Sequence, residues 1–225
     1  MTRDLLNQHM HQIQDEVLLL GSMVEQAIQN AVDALKQKDT EKAPEIVEND
    51  QLVNDKRFAI ENAILILIAT QQPMAHDLRM LTAMLEIDTE LERMGDYAKS
   101  IARIVIRLGD QQVPVPMREI ERMTEIGVSM LHRALGAFIA EDAATAYQIP
   151  NEDDEVDALF NRAYHNLIVS MIANPEMIDN ISLLLWVIHD LERMADRVIN
   201  ICERTVFICT GEMIELASND EEDGE

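Results

Sequence analysis

Two carboxylate pairs are the residues of this chain best suited to chemistry. Glu90-Leu-Glu-Arg-Met-Gly-Asp96 recurs as Asp190-Leu-Glu-Arg-Met-Ala-Asp196 after an offset of 100 residues. Each copy sets a glutamate and an aspartate four residues apart, Glu92 with Asp96 and Glu192 with Asp196. On a helix that spacing stacks both groups on one face, about 6 Å apart along the axis. Like charges so placed repel by a few tenths of a kcal/mol. A duplicated chain that keeps this cost at both places points to a cation between the carboxylates; the plainer alternative is a solvated face of an acidic protein. Oxygen ligands suit divalent or trivalent ions such as Mg, Mn, Ca or Fe. His189 shares the face of Glu192 and Asp196 and offers a nitrogen ligand, whereas the matching position is Thr89. The two sites therefore need not be chemically identical. Arg93 and Arg193 follow the first carboxylate of each pair and suit ion pairs with neighbouring helices.

Helices must position these groups. Prolines and glycines punctuate long periodic stretches, which predicts helices over about residues 4–36, 40–71, 74–108, 117–140, 143–173 and 176–210. Asp39 is the candidate N-cap of the second. Pro150 falls inside the fifth, so that helix either kinks there or starts later. Met84, Ile87, Leu91, Met94, Ala98, Ile101, Val105 and Leu108 keep a heptad spacing. Leu184, Val187, Leu191, Met194, Val198, Ile201 and Ile208 do the same, interrupted only by Thr205. Such stripes specify bundle helices crossing at shallow angles. With Leu91 and Met94 turned inward, Glu92 and Asp96 fall on the outer side. A site there is expected to be open and surface-facing, unlike the buried core of a di-iron bundle.

The repeat extends beyond the acidic motif. Asp50, Val53 and Asn54 match Asp153, Val156 and Asp157 at an offset of 103, and Pro73 matches Pro175. The chain thus reads as all-α, two tandem pseudo-symmetric three-helix bundles. Residues 1–109 form the first repeat, 110–116 a proline-containing linker, 117–211 the second repeat, and 212–225 an acidic tail expected to be disordered. Counting residues on either side of Pro73 puts Asp50 level with Asp96, and Asn54 level with Glu92, in an antiparallel hairpin. The same count about Pro175 brings Asp153 and Asp157 level with Glu192 and Asp196. Each repeat gathers four oxygen-bearing side chains at one level of a helix pair.

Composition narrows the function. The 225 residues are 48% apolar but only 4% aromatic, with 7 glycines and 6 prolines, a balance that favours helices. A net charge of −24 argues against nucleic acid and favours cations and basic protein surfaces. Cys202 and Cys209 lie about 10 Å apart along one expected helix, too far for a disulfide, and no signal-peptide pattern opens the chain, so a cytoplasmic location is expected. The longest apolar runs fall well short of the ~20 residues that span a bilayer. No Glu-x-x-His, Gly-rich phosphate loop or Gly-x-Ser-x-Gly element occurs.

Met23-Val-Glu-Gln26, Asp50-Gln-Leu-Val-Asn54, Gln72-Pro-Met-Ala-His-Asp-Leu-Arg79 and the two acidic motifs resemble the PhoU family of phosphate-uptake regulators. The resemblance implies two similar three-helix bundles, and multinuclear iron or zinc clusters on Glu92, Asp96, Glu192 and Asp196. It further implies a cytoplasmic, typically dimeric negative regulator of the phosphate-starvation response. Such a protein would link the ATPase subunit of the phosphate ABC transporter to a sensor histidine kinase, reaching the membrane only through these partners. The competing reading is a metal-dependent hydrolase or redox enzyme using the acidic clusters, against which stands the lack of any paired nucleophile and base. A bare metal store would need more sites than two.

Overall fold

The computed structural model describes residues 3–216, and these are almost wholly helical. Helix α1 spans Arg3–Gln37, α2 Lys42–Gln71, α3 His76–Leu108 and α4 Met117–Ala140. After the short α5, Ala143–Gln148, come α6, Asp153–Ala173, and α7, Ile178–Thr210. Among the described residues there is no strand.

The expected fifth helix is two helices, α5 and α6. Pro150 supplies no backbone donor, and the chain passes through a 3-10 turn over Ile149–Glu152. Both fragments start favourably. The Asp142 carboxylate accepts the Thr145 amide at the start of α5, and Asp153, Asp154 and Glu155 fill the first turn of α6, where the helix dipole favours negative charge. Helix α2 starts two residues later than expected, with Glu41 at its N-cap position, and Asp39 Oδ1 accepts the amides of Glu41 (3.1 Å) and Lys42 (2.8 Å) just ahead of it. The two long-helix hairpins start their second arms slightly later than the sequence suggested, at His76 and Ile178. Gln72 and Ala75 take left-handed backbone angles at the first turn, φ 51° and 49°, an arrangement that Pro73 between them helps to fix.

Helices α1, α2 and α3 pack as one bundle and α4, α6 and α7 as the other, with α3 packed extensively against α7 between them. Every residue of both heptad stripes is buried in a single continuous core. Thr205, the polar interruption, is fully buried too, and its hydroxyl donates to the Ile201 carbonyl at 3.0 Å. That internal bond removes the cost of burying it.

Pseudo-twofold symmetry governs how the bundles meet. Glu90 on α3 accepts from Arg197 and Asn200 on α7, both at 3.2 Å, and Glu86 pairs with Arg204 at 2.9 Å, so α3 and α7 run antiparallel. Helices α1 and α4 are antiparallel as well, joined by Lys36 with Glu121 and by Glu25 with His132. Their close approach explains Gly21, where a Cβ would lie 2.3 Å from Leu135 Cδ1. Residues 212–216 leave α7 irregularly, yet Ile214 and Leu216 pack on the core and the Leu216 amide donates to Glu203 at 2.9 Å. The rest of the acidic tail, 217–225, lies outside the described residues. No single helix among those described is long and apolar enough to cross a membrane.

The central seam should dominate stability. Leu91→Ala removes a fully buried core side chain of α3 and is expected to cost about 2–5 kcal/mol in urea unfolding followed at 222 nm. Leu65→Ala, on the exposed face of α2, should stay within about 0.5 kcal/mol of the parent.

Candidate metal centre

Heptad packing of α3 and α7 turns Glu92, Asp96, Glu192 and Asp196 away from the seam, as expected, and toward the hairpin partners α2 and α6. Glu92 is half-buried and Asp96 exposed; Glu192 and Asp196 are both half-buried. The expectation of an open site fails for the deeper acids. Asp50 is only 7% and Asp153 only 3% exposed, because each stands on the α2 or α6 face that packs against its hairpin partner. Each site thus has a floor made by one buried aspartate and an outer wall made by a Glu-x-x-x-Asp pair.

In the first repeat the structure brings Asp50 and Asp96 together through Lys99. The Lys99 ammonium donates to Asp50 Oδ2 at 2.6 Å and lies 3.4 Å from Asp96 Oδ1. Asn54 Nδ2 donates to the same Asp50 oxygen at 3.0 Å. The bond to Asp50 raises the Lys99 pKa, and Asp96 adds to the effect. Glu92 is raised by burial and by Asp96, while Arg57 on α2 pulls it back. Gly95 makes the approach close, since a Cβ there would sit 3.2 Å from Val53 Cγ1; Ala195 occupies the equivalent place.

The second repeat has the acids without that ammonium. Burial, followed by Asp157, Asp196, Glu192 and Asp154, pushes Asp153 up to about 7. Burial and then Asp196 raise Glu192, against His189, whose Nδ1 stands 3.5 Å from Glu192 Oε2. Burial raises Asp196 too, opposed by Arg193 at 3.3 Å and by Arg197. Arg193 therefore pairs within its own helix, not with a neighbouring one. Asp153 Oδ1 and Glu192 Oε2 are buried and accept no hydrogen bond. Oxygen atoms left without donors suit a cation, and Asp153, Asp157, Glu192 and Asp196, with His189 beside them, are the residues that would hold one. Among the described residues no three such side chains converge as a preformed ligand set, so carboxylates would turn inward around an ion.

Sequence reasoning missed three features. Lys99 lies three residues beyond Asp96 on the same face, and the level count about Pro73 that linked Asp50 to Asp96 also reaches it. Asp88, only 1% exposed, faces Arg57 and bonds Thr89, and burial pushes it up to about 7. The Glu90–Arg197–Asn200 lock needed knowledge of which helices pair across repeats.

A model of the PhoU domain matches this chain twice, over residues 17–105 and 120–205. The chain belongs to the PhoU family. It is similar to the phosphate-specific transport system accessory protein PhoU homolog of Clostridium acetobutylicum, 34% identical over 96% of this chain and 99% of that one. It is also similar to phosphate-specific transport system accessory protein PhoU of Escherichia coli K12, 31% identical over 96% and 90%. The crystal structure of the phosphate transport system regulatory protein PhoU from Streptococcus pneumoniae superposes with a TM-score of 0.87, at 32% identity, covering 94% of this chain and all of that one. One match falls within α1–α3 and the other within α4–α7. The protein is a regulatory accessory protein of this family and not an enzyme.

Asp88 gives the site region a pH signature. Its carboxyl is raised from 3.8 to about 7, so the folded state binds a proton that the unfolded state releases above pH 4. Wild-type stability should therefore fall as pH rises from about 4 to 7 and then level off, at roughly 1.4 kcal/mol per unit at most. Asp88→Asn should lose that slope, gaining on the wild type with pH; parallel urea-stability profiles from pH 4.5 to 8 would contradict the assignment.

Proposed function

We propose that this protein is a cytoplasmic, non-enzymatic adaptor that restrains phosphate uptake and phosphate-starvation signalling. Its partners are the ATPase subunit of a phosphate ABC transporter and a membrane sensor histidine kinase, and it works as a homodimer reaching the membrane through them. The observation that carries the reading is the full-length likeness to the phosphate-specific transport accessory proteins of C. acetobutylicum and E. coli. The surface suits the task. A charge of −24 complements basic partner surfaces, and Leu52, Phe58, Leu65 and Ile66 on α2, with Tyr164, Val169 and Ile172 on α6, offer exposed apolar contacts.

Metal ions on the acidic hairpin faces are the coupling element of the proposal. Oxygen-rich ligands take Mg or Mn, and the family resemblance adds iron or zinc clusters. Crowded carboxylates repel, and a cation makes their approach favourable, so occupancy would set the geometry of a hairpin that also presents the apolar face of α2 or α6.

Immobilised protein should retain the transporter ATPase and the histidine kinase, and deleting its gene should derepress phosphate-scavenging genes. Labelled partner should bind metal-loaded and chelator-stripped protein with different dissociation constants at equal helicity. Equal constants would leave an adaptor without a metal switch; no capture and unchanged gene expression would remove the adaptor itself.

A further inference from the structure

The two repeats differ at the positions that face the buried aspartate. Asp50 of the first repeat meets Lys99 at 2.6 Å, and Arg57 stands on the same helix, acting on Glu92. At the offsets that align the two hairpins, the equivalents of Lys99 and Arg57 are Ile199 and Phe160. Both are apolar, and Ile199 is buried. The second repeat also replaces Asn54 with a fourth acid, Asp157. The buried Asp153 is surrounded by Asp157, Asp196, Glu192 and Asp154, and its Oδ1 accepts no hydrogen bond. One hairpin carries an ammonium on its buried aspartate; the other has more carboxylate, with Arg193 on the outer Asp196 and, among the described residues, no lysine at Asp153.

We infer that Lys99 is a built-in substitute for the metal in the first repeat, so that only the second repeat, on Asp153, Asp157, Glu192 and Asp196, takes a divalent or trivalent cation. The inference rests on the metal reading above and changes what it requires: one cation centre per chain, not two. An ammonium donating to Asp50 and lying against Asp96 occupies the space where an ion would bridge those acids, and its fixed charge repels any ion drawn to Glu92. Asn54 and Lys99 both donate to Asp50 Oδ2, while Oδ1, like Asp153 Oδ1, accepts no hydrogen bond, so the two repeats differ in the ammonium and not in the unpartnered oxygen. His189, the one nitrogen ligand near either acidic pair, also belongs to the second repeat, beside Glu192. The position of Thr89 offers no counterpart.

The test exchanges the two residues. Full-length protein is dialysed against Mn2+ and, separately, Zn2+, and bound metal is counted by elemental analysis, with circular dichroism reporting the fold. Lys99→Ile should open the first hairpin and about double the metal bound. Ile199→Lys should abolish binding while keeping helicity, and should raise the melting temperature of the metal-free protein by giving Asp153 a partner. Asp153→Asn with Glu192→Gln should likewise empty the wild type, whereas Glu92→Gln with Asp96→Asn should not. If Glu92 and Asp96 prove as necessary for the bound metal as Asp153 and Glu192, Lys99 is no substitute and the inference falls while the metal reading stands. Wild-type protein that binds neither ion removes both.

Discussion

Asp50 and Asp153 stand at the same level of their two hairpins, each almost wholly withdrawn from water, and a carboxylate there is stable only with a cation, a donor set or a proton. Everything around them follows from that demand. The heptad stripes of α3 and α7 fix the rotation of those helices, and the rotation brings Glu92, Asp96, Glu192 and Asp196 over the buried acids instead of into the core. In the first hairpin Lys99 and Asn54 meet the demand at Asp50 Oδ2, while Oδ1 is left without a donor. In the second no lysine among the described residues reaches Asp153, the neighbouring acids act on it, and Arg193 offsets only the outer Asp196. Asp50 is withdrawn from water while Lys99 is partly exposed, so the contact ties a buried carboxylate of α2 to the surface side of α3.

The same duplication and divergence shape the interface between bundles. Glu90 on α3 is held by Arg197 and Asn200 of α7. The mirror-related group is Asp190 on α7, buried, with Ser100 of α3 as its donor, and its pKa is pushed up to about 6 by burial. Tyr97 stands where the second repeat has Arg197, and the two side chains bond each other across the seam. One half of the pseudo-symmetric interface therefore pairs its carboxylate with an arginine, and the other leaves its carboxylate with a serine hydroxyl. A duplicated fold keeps its apolar stripe intact while its polar positions diverge, because packing volume constrains the first far more tightly than the second.

Much of this could be read from the residues. Periodicity of the α3 and α7 stripes gave helices, their inward faces and the bundle class, and the level count about Pro73 correctly joined Asp50 to Asp96. Pro150 marked the break between α5 and α6 but left open whether the helix would kink or restart. The burial of Asp50 and Asp153 was not legible. Helix α2 carries Leu52, Phe58, Leu65 and Ile66 on its exposed side as well as Val53, Ile60 and Ile64 within, so its sequence does not declare which face is inside. Lys99 escaped for a related reason: a search for acids sharing a helix face passes over the base that neutralises them, though three residues of spacing place it on that face. Contacts across repeats, such as Glu90 with Arg197, depend on the pairing of α3 with α7, which local pattern does not encode.

The central claim is that two hairpins with one ancestral design now meet their buried aspartates differently, one with a side-chain ammonium and one with a metal ion. Anomalous diffraction from crystals of the full chain grown with Mn2+ tests it most directly. The account predicts an anomalous peak bounded by Asp153, Asp157, Glu192 and Asp196, and none between Asp50 and Asp96, where Lys99 Nζ holds its place. Peaks of equal height at both hairpins, with Lys99 turned out to solvent, would contradict it.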